Sequence, residues 1–107
     1  MCEGRQIRFN VIVFCEVHFM ETDQLSSQEA IRYKRQIVIP AFGEKGQTQL
    51  KRASIFIAGL GGLGAVSAYY LAAAGVGRLE IVDKDHVELE NLNRQILYST
   101  GDVGRSK

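Results

Sequence analysis

Residues 54–85 read SIFIAGLGGLGAVSAYYLAAAGVGRLEIVDKD, and this stretch decides the fold. Ile55, Phe56, Ile57 and Ala58 form a short apolar run that stops at glycines, as a buried parallel strand does. Gly59, Gly61 and Gly64 then have the G-x-G-x-x-G spacing, with Gly62 inside it. In that motif the first glycine makes the tight turn, the second lets backbone N–H groups approach a phosphate, and the third lets helix and strand pack closely. Ala65 to Ala74 predicts a helix with almost no charge, expected to be covered on most sides. Gly75 and Gly77 end it, and Leu79 to Val82 re-enters the sheet. Asp83 follows, nineteen residues after Gly64, where the dinucleotide fold places an acid on ribose hydroxyls. The helix N-terminus behind the glycines is an anion site. The expectation is an α/β, Rossmann-like, doubly wound parallel sheet whose turn binds a phosphate-bearing ligand. Strand-to-helix turns also use glycine for structural reasons alone, and the motif by itself does not separate NAD or FAD from ATP.

The chain has 107 residues, 46% hydrophobic and 23% charged, the composition of one ordinary globular domain at most. A net charge of +1 offers no bulk attraction to nucleic acid or to a membrane surface. No apolar run approaches the ~20 residues that cross a bilayer, so neither partner is expected and a cytoplasmic location is the default. Cys2 and Cys15 are too few and too far apart for a metal motif or a disulfide framework. A doubly wound sheet needs about five or six parallel strands, and only two are identifiable here. The chain therefore reads as the N-terminal piece of a larger protein, with only the first βαβ portion of the sheet, preceded by two short helices.

Upstream, Phe9, Val11, Val13, Cys15, Val17 and Phe19 recur with a strand-like period of two. Arg5 and Arg8 ahead of an apolar run have a flavour of a signal peptide, but Glu16 and His18 interrupt it and no small-residue cleavage site follows. The polar stretch from Met20 looks like an ordinary N-terminus, so residues 1–19 read as an extension. Ser26 and Glu29 have capping-box spacing and predict a helix from about Ser27 to Gln36, crowded by Arg32, Lys34 and Arg35. Composition alone makes that a solvated basic face. Ile37 to Ile39 is extended and Pro40 stops a helix from passing through. A second helix is expected from Glu44 to about Arg52, with Leu50 and Ala53 turned inward.

Downstream, Asp83 and Asp85 alternate along the end of a strand and point to one side, at the sheet edge where ligands sit in open α/β folds. Asn91, Arg94 and Gln95 cluster a few residues on. Gly101 and Gly104 bracket a turn, and Lys107 is expected in the first turn of a following helix. A cation there opposes the helix dipole and hints at an anionic ligand.

These pieces together resemble the ubiquitin-activating enzymes and their bacterial and archaeal relatives, the ThiF, MoeB and HesA adenylyltransferases. The resemblance lies in Arg32-Tyr33-Lys34-Arg35-Gln36, Phe42-Gly43-Glu44-Lys45-Gly46-Gln47, the Gly59 to Gly64 turn, Ala74-Gly75-Val76-Gly77 and Val82-Asp83-Lys84-Asp85. It continues in Asn91-Leu92-Asn93-Arg94-Gln95 and Gly104-Arg105-Ser106-Lys107. It covers about residues 24–107 and is far more specific than the glycines, so residues 20–107 read as the N-terminal part of an ATP-binding adenylyltransferase domain.

The resemblance implies ATP with Mg²⁺ on the glycine turn and attack on its α-phosphate by the C-terminal glycine carboxylate of a ubiquitin-like sulfur-carrier protein, such as those of thiamine or molybdopterin biosynthesis. The products are an acyl-adenylate and pyrophosphate. Arg94 and Lys107 would hold the phosphates, as a forked donor and a point charge respectively. Asp83 would hold the ribose, Asn91 and Gln95 would bind phosphate or support Arg94, and Asp85 would face metal or adenine ribose. Arg35 would reach the ATP of a partner subunit, which makes a homodimer a catalytic requirement. A Mg²⁺-holding aspartate, Cys-x-x-Cys pairs for a structural zinc, any catalytic cysteine and the carrier groove would lie beyond Lys107, so no metal ligand is assigned here and the chain alone is expected to be inactive. Two alternatives use the same glycines: an NAD- or FAD-dependent oxidoreductase domain, and a non-catalytic subunit of a heterodimeric activating enzyme. The first gives no role to Arg35, Arg94 and Lys107 together; the presence of the phosphate-side cations argues against the second.

Overall fold

The computed structural model describes residues 13–17, as backbone, and residues 24–107. The other upstream positions discussed above, Cys2, Arg5, Arg8, Phe9, Val11, His18, Phe19 and Met20, lie outside the described residues. The elements run β1 (Val13–Val17), α1 (Ser27–Arg32), α2 (Lys34–Ile37), α3 (Gly43–Arg52), β2 (Ala53–Ala58), α4 (Gly62–Ala74) and β3 (Arg78–Val82). Two 3-10 turns, Leu89–Asn91 and Thr100–Asp102, follow.

The βαβ unit forms as its sequence predicts. β2 and β3 pair in parallel, with Ser54 opposite Arg78 and Ala58 opposite Val82, and α4 makes the crossover that parallel neighbours require. Ile55, Ile57 and Ala68 form the core, with Leu60, Leu71, Val76 and Leu79 packed against it. The period-two pattern upstream passes through β1, which pairs antiparallel along the other side of β2, Val13 opposite Ile57 and Val17 opposite Ala53. β2 is thus the central strand of three.

Coverage of α4 differs from expectation. Gly64, Ala65 and Ala68 are buried, while Leu63, Tyr69 and Tyr70 are more than half exposed. One face of the helix meets the sheet, and no described element lies over the other.

The first predicted helix is two. Ser26 caps α1 through the expected box, its N–H donating to Glu29 Oε2 (2.7 Å) and its Oγ accepting from the Glu29 N–H (3.2 Å). The helix breaks at Tyr33, and α2 carries Lys34, Arg35 and Gln36 onward. α3 forms as expected, but the side chain it buries fully is Gln47, not Leu50. The Gln36 amide donates to Gln47 Oε1 (2.6 Å) and to the Ala74 carbonyl (3.0 Å), and the Gln47 amide donates to the same carbonyl (2.9 Å). This clasp attaches α2 and α3 to the C-terminal end of α4.

Removing one member of a buried network leaves its partners unpaired, at a cost of about 1–3 kcal/mol. Gln47→Leu, which keeps the volume and deletes the amide, should lower the urea-unfolding free energy by that amount; an unchanged midpoint would show that the clasp carries no stability.

A second tie joins α1 to α3, where Lys51 Nζ lies 2.9 Å from Glu29 Oε2 and donates to the Gln24 carbonyl (3.2 Å). The Ser26 N–H, then the hydrogen bond and charge of Lys51, lower the Glu29 pKa from 4.5 to about 2. A depressed acid stabilises the fold fully above its unfolded value, and that contribution fades as the pH falls from about 4.5 towards 2. Glu29→Gln should therefore flatten the fall in unfolding midpoint across this window while lowering the midpoint at pH 7. An acid limb as steep as that of the parent chain would contradict the assignment.

Candidate nucleotide site

At the C-terminal ends of β2 and β3 the chain forms a cavity of about 740 Å³, in the size range of small-molecule sites and at the edge where open α/β sheets bind ligands. Gly59, Gly61, Gly64, Asp83, Asp85, Asn91, Arg94, Gln95 and Lys107 all line it. The glycine turn enters through Gly59, whose φ of 96° lies in the left-handed region. Gly64 packs directly on the Gly59 carbonyl, where a Cβ would collide. Gly61 caps α4 without a side-chain bond of its own, so the first N–H groups of α4, which have no intrahelical acceptor, open at the turn. Gly62 is not on the wall; a Cβ there would lie 3.9 Å from Arg94 Cγ, so the arginine stem crosses it.

Asp83 organises the polar side. Its Oδ2 accepts from the Leu60 N–H (2.6 Å) and its Oδ1 from the Asp85 N–H (2.8 Å). Burial opposes ionisation of this carboxyl, but those N–H groups and the nearby Lys107 charge outweigh it and hold the pKa below the ordinary carboxylate value. Each oxygen retains a lone pair for a ligand hydroxyl. The segment leading to Lys107 folds back: His86 bridges Ser106, the Val87 N–H donates to the Arg105 carbonyl (2.8 Å), and the Lys107 N–H donates to the Asp85 carbonyl (3.0 Å). Val87, 2% exposed, anchors that return, which brings Lys107 to the cavity.

The loop between them is built on Asn91, which is buried and whose Oδ1 accepts from the Glu88 N–H (3.0 Å). Asn91 therefore shapes the loop with its oxygen and keeps its amide as a donor. Arg94 Nη1 donates to the Glu90 carbonyl (3.0 Å) and to Asn93 Oδ1 (2.9 Å), with the rest of its fork left for an anion. Gln95 is 4% exposed, and its Oε1 has no partner among the described residues; a buried orphan acceptor on a cavity wall suits a ligand donor. Tyr98, which sequence reasoning did not single out, donates its hydroxyl to the Leu60 carbonyl (2.9 Å). Its signal in the sequence is only an aromatic beside the Asn91 to Gln95 cluster.

Arg35 is not part of this cavity. It is exposed on α2, next to Gln36 and hence at the far end of α4 from the glycine turn. Thirteen helical residues span about 20 Å, beyond the reach of an arginine side chain.

A glycine turn on a helix N-terminus, facing an acid and two cations, has the layout of a nucleotide site in an α/β domain. The chain belongs to the ThiF family, whose family model matches residues 33–107. It is 51% identical over 82 residues to a sulfur carrier protein adenylyltransferase of Thermus thermophilus, covering 77% of this chain and 30% of that protein. It is 51% identical over 84 residues to the adenylyltransferase and sulfurtransferase MOCS3 of Drosophila ananassae, covering 78% and 19%. The crystal structure of selenomethionine PaaA matches with a TM-score of 0.63 and 41% identity, over 80% of this chain and 28% of that one. The chain thus spans about a fifth to a third of the length of these relatives. No helix among the described residues is long and apolar enough to cross a membrane.

Gly64→Ala places a methyl group against the Gly59 carbonyl, so the turn must open. Phosphate-ligand affinity should fall by about tenfold or more, with a lower melting temperature; retention of parental affinity would show that the turn tolerates the shift.

Proposed function

We propose that this chain is the nucleotide-binding part of an ATP-dependent adenylyltransferase that activates the C-terminal glycine of a ubiquitin-like sulfur-carrier protein. The observation that carries the reading is the placement of Arg94 and Lys107 on one cavity with the glycine turn. The names of the Thermus and Drosophila relatives support it. ATP would lie with its phosphates over Gly61 and the start of α4 and its ribose at Asp83. The carrier carboxylate then attacks the α-phosphorus, the bond to the bridging oxygen breaks, and pyrophosphate leaves with the electron pair.

Charge builds on the phosphoryl oxygens during that displacement, and fixed cations that meet it there lower the barrier. Arg94 supplies a planar fork and Lys107 a compact charge. Mg²⁺, when bound with ATP, would neutralise the triphosphate. Asp85 lines the same cavity and its carboxylate is a suitable oxygen ligand for that ion. Arg35, anchored about 20 Å from the turn, is assigned to the cavity of a second copy, so the working unit is a homodimer.

The reading is tested in the full-length protein. ATP with Mg²⁺ should bind more tightly than NAD, and Arg94→Ala and Lys107→Ala should each slow carrier-dependent ATP–pyrophosphate exchange by about 10² or more while weakening ATP binding much less. Tighter NAD binding, or exchange at parental rates in both variants, would overturn it.

A further inference from the structure

A turn built from Gly59, Gly61, Gly62 and Gly64 has little conformational preference of its own, because glycine occupies both halves of φ space. Something other than local propensity must fix it. The only non-glycine residue between Gly59 and Gly61 is Leu60, and it is held at three points. Its N–H donates to Asp83 Oδ2 at 2.6 Å, its carbonyl accepts from the Tyr98 hydroxyl at 2.9 Å, and its side chain packs on the Ile55–Ile57–Ala68 core. The two bonds fix the peptide planes on either side of the Leu60 Cα, so Leu60 does not point its N–H at a ligand, and the orphan N–H groups at the start of α4 face the cavity instead.

We propose that Tyr98 is a positioning residue for phosphate binding: its hydroxyl, holding the Leu60–Gly61 peptide while the Asp83 carboxylate holds the Gly59–Leu60 peptide, locks the glycine turn in the form that receives the phosphates. Tyr98 is not itself on the cavity wall, so it acts through the turn without touching the ligand. Burial, with the Asp83 charge adding to it, raises the Tyr98 pKa, so the phenol remains a donor throughout the neutral range. The inference rests on the nucleotide reading above for its ligand, while the lock itself is a property of the ligand-free turn.

Tyr98→Phe deletes one oxygen and keeps the ring. In the full-length protein, affinity for ATP should fall by about five- to tenfold, the effect of one lost hydrogen bond. Affinity for AMP, which makes fewer phosphate contacts, should change by less than about twofold. A residue that only supports the fold would weaken both nucleotides alike, and that result, or unchanged ATP affinity, overturns the proposal. Amide hydrogen exchange without nucleotide reads the lock directly. The Leu60 amide should exchange about tenfold faster in Tyr98→Phe, while the Ile57 amide in the core strand keeps its parental rate. Equal acceleration at both positions would mark general destabilisation and overturn the positioning role. Should the parent protein bind NAD and not ATP, the nucleotide reading fails by itself, and the exchange rates at Leu60 and Ile57 still decide the inference.

Discussion

One carbonyl oxygen joins the two parts of this structure. The last carbonyls of an α-helix have no acceptor role to fill within it, and Ala74, at the end of α4, is such a group. Gln36 and Gln47 both donate to it, and Gln36 also donates to Gln47 Oε1. Gly75 is what lets them in. Its φ of 96° turns the chain away from the helix axis, and a Cβ there would collide with the Gln47 amide and stand 2.8 Å from the Tyr33 ring. The clasp therefore depends on residues from α2, α3 and the end of α4 at once, and each makes sense only with the others present.

The opposite end of α4 is organised by charge. Asp83 accepts from the turn and from the loop that follows it, so one carboxylate sets the relative placement of both. Ionisation is favoured by the N–H groups and by Lys107 in spite of burial. The Lys107 N–H, bonded to the Asp85 carbonyl, keeps that cation near the cavity. Arg94 is steadied through Nη1, on the Glu90 carbonyl and Asn93 Oδ1, with the rest of its fork left over.

The βαβ unit was legible because its signals are local. A strand-length apolar run, four glycines at fixed offsets and an acid at the end of the next strand each act within a few residues of where they stand. The capping box at Ser26 and Glu29 is of the same kind. What escaped the sequence is long-range. Gln47 looks like a polar surface position of an amphipathic helix, and only the Ala74 carbonyl, 27 residues on, makes its burial favourable. Tyr98 is 38 residues from the Leu60 carbonyl it holds. The approach of Lys107 to the cavity is of the same kind: the loop closes through the His86–Ser106 bridge and the buried Val87, contacts without a short-range pattern. The break at Tyr33 also went unread, and three residues beyond it Gln36 makes its long-range bond to the Ala74 carbonyl.

These features give α4 a second role besides covering the sheet. A helix is stiff over its length, so fixing both ends fixes the distance between them. The glycine turn, locked through Leu60, defines one end, and the glutamine clasp defines the other. Arg35 sits one residue from the clasp, at the end of α4 away from the glycine turn, and thirteen helical residues between the two ends span about 20 Å. The buried polarity of Gln47 thus has a structural consequence: with Gln36 it ties the basic α2 to the end of α4 opposite the glycine turn, so that one helix sets the placement of both.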